Sequence, residues 1–141
     1  MTAVHLSIIV YKGSPLDYPQ YRHTALWLRF GDGSPPHLVH VVGPPGGFVF
    51  ESGESDKPWE TQGFAKMVEV GRLLVSATPV QTVQALRRVP IVNSDREFNC
   101  QTWVEAALKT FKVAGHLSAD SYERGVDGMV DAIDEAEYVD E

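Results

Sequence analysis

The hydrophobic rhythm of this chain changes once, at Thr78-Pro79-Val80-Gln81. Upstream, apolar residues come in short runs with alternating faces, the period of a strand. Downstream they recur every three to four residues, the period of an amphipathic helix. The change point is itself a helix start. Thr78 is a cap, Pro79 fits the first helical position, and Gln81 completes a capping box. Strands first and helices after them make an α+β fold. The 141 residues suit a single domain, 1–141, with one sizeable core. No internal repeat is visible.

The strands are read from alternation and from their breakers. His5 to Tyr11 is the first, ended by Lys12-Gly13-Ser14-Pro15. The second runs from about His23 to Phe30. It sends Thr24, Leu26, Leu28 and Phe30 to one face and His23, Ala25, Trp27 and Arg29 to the other. Gly31-Asp32-Gly33-Ser34 makes a tight turn into a third strand, His37 to Val42, so strands two and three are antiparallel neighbours. His23, near the start of one, then lies close to His40, near the end of the other. After the turn at Gly43-Pro44-Pro45-Gly46-Gly47 come a short strand, Phe48 to Glu51, and a longer one, Lys66 to Ser76, bent at Gly71. The helices are expected from Thr78 to about Arg88, from Asn99 to about Lys112, and from Ser118 or Ser121 to about Tyr138. The last has Val126, Met129, Val130, Ile133 and Ala136 on its apolar side, and the tail frays from about residue 137.

Cys100 is the only cysteine, and Asn99 before it is a good N-cap residue. A sulfur at the first helical position lies where the helix favours negative charge, which lowers a thiol pKa. The free first-turn N–H groups there can also receive an oxyanion. Both effects serve acyl transfer through a thioester. Such chemistry needs an imidazole to take the thiol proton, and His23 and His40 are placed for it. One is the base and the other orients it, with Asp32 or Asn93 as alternative orienting groups. Buried structural roles are the competing reading for the thiol and for each histidine. Gln101 either orients a substrate carbonyl or faces solvent. Trp103 is a core or cleft-wall residue, and Tyr21 rims the cleft from its loop. Bland roles suit His5, His37 and His116. The donors of His23, His40 and Cys100 suit zinc, but no short-spaced ligand pair exists, so no metal or other cofactor is expected.

Composition narrows the partners. The formal net charge of -7 argues against nucleic acid and anionic lipid. Much of the excess lies in a solvated acidic stretch: Asp127, Asp131, Asp134, Glu135, Glu137, Asp140 and Glu141. A lone cysteine excludes an intrachain disulfide and fits a reducing, cytoplasmic setting. The N-terminus has no basic segment of a signal peptide, and its apolar run is too short to span a membrane.

The order of Arg22-His23-Thr24-Ala25-Leu26-Trp27-Leu28, then His40, then Asn99-Cys100-Gln101-Thr102-Trp103-Val104 resembles the circularly permuted NlpC/P60 papain-like superfamily. Its lecithin retinol acyltransferase-like group looks nearest. The resemblance implies a small antiparallel sheet packed against the cysteine helix. It also implies Cys100 as nucleophile, His23 as base and His40 as the residue orienting it. The expected function is a cysteine-dependent hydrolase or acyltransferase acting on an amide or ester of a small molecule or peptide. Two other functions fit the same residues. One is a non-catalytic peptide or metabolite binding domain on this scaffold. The other is an acid–base enzyme of small-molecule biosynthesis that forms no covalent intermediate.

Overall fold

A computed structural model describes residues 1–136. Five strands form one antiparallel sheet: β1 (Val4–Tyr11), β2 (His23–Phe30), β3 (His37–Val42), β4 (Val49–Glu54) and β5 (Phe64–Arg72). Their spatial order is β4-β3-β2-β1-β5. Three helices follow: α1 (Pro79–Arg87), α2 (Cys100–Val113) and α3 (Ala119–Asp134). The fold is α+β.

Alternation decides what each face carries. Val4, Leu6, Ile8 and Val10 of β1, Leu26 and Leu28 of β2, and Val39 and Val41 of β3 are fully buried in one core. Helix α2 covers that face with Trp103, Val104, Ala107, Leu108 and Phe111, spaced as one helical stripe. The opposite face carries His23 and Trp27, and a single turn, Pro58–Glu60, lays Trp59 edge-on against Trp27 at 5.5 Å.

Element ends differ from the sequence expectation for local reasons. β4 continues through the polar residues Ser52 to Glu54, because backbone pairing with Val39, Leu38 and His37 does not require apolar side chains. β5 begins at Phe64 and ends at Arg72 instead of running from Lys66 to Ser76. Beyond it, Leu73 N–H still bonds Val4 O, but Leu74 N–H turns to His116 O. Ser118 is the cap of α3, accepting from Ser121 N–H, and the helix ends at Asp134. Val130 is exposed there, because the buried stripe runs through Gly125, Met129, Ala132 and Ile133. The helix end at Asp134 comes earlier than the expected one at about Tyr138, and the expected fraying from about residue 137 lies outside the described residues. Among the described residues no helix is long and apolar enough to cross a membrane.

Gly71 is the bend in β5. It has φ +147°, and the β1 register skips one residue there, with Leu6 opposite Gly71 and Ser7 opposite Glu69. A Cβ at Gly71 would come within 2.5 Å of Ser121 Oγ on α3. Gly71→Ala therefore strains the backbone and pushes α3 off the sheet, costing about 1–3 kcal/mol in urea denaturation. Gly53→Ala, with open space at its Cβ, changes stability by no more than about 0.5 kcal/mol.

Candidate active site

The site is built on the first residues of β2. The ladder to β3 pairs Leu26 to Leu28 with Val39 to His37, so residues 22–24 lie beyond its recorded pairs. The start of α2 fills this place. Arg22 O accepts from Gln101 Nε2 at 3.0 Å and from the Cys100 thiol at a sulfur distance of 3.9 Å. The Arg22 side chain, itself buried, fixes that carbonyl from behind. Its guanidinium makes a two-pronged ion pair with Asp17 at 2.9 and 2.7 Å and donates to Ala132 O on α3 at 2.8 Å. Asp17 also accepts from Gly13 N–H, which closes the loop before β2.

Asn99 caps α2. Its Oδ1 accepts from Gln101 N–H and Thr102 N–H, while Asn99 N–H donates to Thr102 Oγ1. The N–H of Cys100 is the first-turn amide that this cap does not take up. Cys100 is 7% exposed. Burial pushes its thiol pKa up, against the pull of the amides of Thr24, Gln101 and Cys100 itself and of the Thr24 hydroxyl. The expected lowering of the thiol pKa is thus corrected: at this depth desolvation outweighs the field of the helix start.

On the sheet, His23 Nε2 and His40 Nδ1 lie 2.7 Å apart, and His40 Nε2 lies 3.3 Å from Glu51 Oε1. Chemistry orders this chain. An ionised carboxylate only accepts, so His40 holds its proton on Nε2 and offers a lone pair at Nδ1. His23 must then donate from Nε2, which leaves the lone pair of His23 at Nδ1, the nitrogen the chain does not use. The ring of Tyr11 stacks on His23 at 5.9 Å. Burial first, and then the neighbouring His40, lower the His23 pKa from 6.5 to about 4, against a smaller opposing pull from Glu51.

A cleft of about 490 Å³ is lined by both Cys100 and His23, with Tyr21, Phe48 and Phe98 among its other walls. His40 stands behind His23 and is held by Glu51. Tyr21 lines the cleft and is half exposed. Gln101 donates to the Pro19 and Arg22 carbonyls, so its amide nitrogen locks α2 to β2. Trp103 is fully buried, edge-on to Phe50 at 6.1 Å and outside the cleft, because its place in the helical stripe turns it to the sheet. Asp32 sits in the exposed turn, accepting from Ser34 N–H, and Asn93 clamps Phe48 through both backbone groups. Neither orients His23. Among the described residues no group of three or more His, Cys, Asp or Glu is placed to hold a metal ion. Glu51 is the neighbour of His40 that sequence reasoning missed. Its signal was available in the β3–β4 register, which sets it directly opposite His40.

A protein-family model matches residues 7–118. The chain belongs to DUF6540, a family of unknown function. The DUF6540 match takes in His23, His40, Glu51 and Cys100, so the cleft lies wholly inside the family domain. No curated protein and no solved structure matches the chain.

His23 gives a pH signature without any substrate. Its folded pKa is depressed, so its contribution to stability is complete above 6.5 and is lost as pH falls towards about 4. Between those values the stability of wild type falls more steeply than that of His23→Gln, as read by denaturant midpoints across pH. Parallel curves would place an ordinary imidazole at this position.

Proposed function

We propose that this protein is a cysteine-dependent hydrolase or acyltransferase, a permuted papain-like enzyme of the NlpC/P60 kind, acting on an amide or ester of a small molecule or peptide. The observation that carries the proposal is the ordered chain Glu51–His40–His23. It leaves a ring nitrogen with a free lone pair on a residue that lines the same cleft as the only thiol. His23 Nδ1 takes the proton of Cys100 as the sulfur attacks the substrate carbonyl carbon. The Cys100 N–H receives the developing oxyanion. Protonated His23 then returns the proton to the departing amine or alkoxide, leaving a thioester. His23 next deprotonates water or an acceptor nucleophile, whose attack releases the acyl group and restores the thiol.

The electrostatics set the timing. A raised thiol and a lowered imidazole both rest neutral, so the proton moves with the attack and no thiolate–imidazolium pair waits beforehand. Glu51, holding His40 from behind, lowers the cost of the imidazolium that forms, as an acidic partner does in other relays. A reducing cytoplasm keeps the free thiol available.

The test uses an activated ester such as p-nitrophenyl acetate, with intact-protein mass spectrometry to catch the acyl adduct. Wild type shows a burst of nitrophenol and one acetyl group on Cys100. Cys100→Ala removes both. His23→Ala slows acylation by about 10²–10⁴-fold. His40→Ala costs more than Glu51→Gln, whose carboxylate is exposed. Turnover retained in Cys100→Ser would favour acid–base chemistry without a covalent step. No adduct under any condition would leave a binding cleft.

A further inference from the structure

Thr24 is the one polar side chain on the helix-facing side of β2, where Leu26, Leu28 and Phe30 are its companions. It is fully buried, and its Oγ1 has no hydrogen-bond partner. A buried hydroxyl without an acceptor is destabilising, and valine would fill the same volume without that cost. The residue follows His23 directly and lies two positions beyond the Arg22 carbonyl that accepts from the thiol. Both its N–H and its hydroxyl bear on the Cys100 sulfur, and both favour the ionised form.

A thiol and a thiolate need opposite partners. The thiol has a proton to donate, and the Arg22 carbonyl accepts it at 3.9 Å. The thiolate only accepts, and a carbonyl oxygen beside it then repels it. We propose that Thr24 is the hydrogen-bond donor that receives the Cys100 sulfur as it ionises, its hydroxyl idle beside the thiol and engaged by the thiolate. The sulfur's proton leaves to His23 Nδ1, and Thr24 keeps its own. The assignment rests on Cys100 being the nucleophile and adds a residue that stabilises the charge on it. Other charged or titratable groups around the sulfur are His23 on β2, with His40 and Glu51 behind it, and Arg96 and Glu97 in the loop before α2. The Arg22 guanidinium is turned to Asp17.

The test is the pH–rate profile of Cys100 alkylation by iodoacetamide, which needs no substrate. Thr24→Val raises the apparent thiol pKa by about one unit and slows alkylation at pH 7 roughly tenfold. Its melting temperature is equal to or above that of wild type. Thr24→Ser keeps the hydroxyl and returns the profile to within about 0.3 unit. Thr24→Ala is read in the same way if the valine variant does not fold. A profile unchanged on losing the hydroxyl overturns the proposal, even where acyl adducts on Cys100 persist. A shifted profile with no acyl adduct would overturn the hydrolase reading and leave the role of Thr24 standing.

Discussion

The carbonyl of Arg22 is where sheet and helix are locked together. It accepts from the Gln101 amide and the Cys100 thiol, both in the first turn of α2. It can do so because the recorded β3 ladder ends at Leu26, leaving the first residues of β2 as a bare edge. The Arg22 side chain runs the other way, into the ion pair with Asp17 and the Ala132 carbonyl. Buried ion pairs contribute little net stability, since desolvation cancels most of the attraction. This one contributes position. It ties the loop before β2, the end of α3 and the mouth of α2 to one residue, and His23 is the next in the chain.

Two opposing forces then set the character of the site. Proximity to first-turn amides favours charge on sulfur, and burial disfavours it; burial is the larger. The same burial, aided by His40, keeps His23 neutral. A thiol that rests protonated is protected from adventitious oxidation, because the thiolate is the reactive form.

Much of the scaffold was legible in the sequence. The rhythm change at Thr78, the alternation of β2 and β3, and the caps at Thr78 and Asn99 all depend on neighbours close in the chain. The meeting of His23 and His40 followed from one tight turn and two alternation patterns. What escaped the sequence depended on distant geometry. The depth of Cys100, which reverses its expected pKa shift, is set by how far α2 sinks against β2. Glu51 needed the β3–β4 register. Gln101 and Trp103 were each left with two readings by the sequence. A helix turns successive residues about 100° apart, so one locks the elements and the other enters the core.

Central to this account is a neutral His23 with its proton on Nε2 and its lone pair on Nδ1. Long-range ¹⁵N–¹H correlation spectra of the imidazoles read this directly. The account predicts the Nε2–H tautomer for His23 at pH 7, persisting as pH is lowered towards about 4. A His23 that carries its proton on Nδ1, or that is already an imidazolium at pH 7, would contradict it.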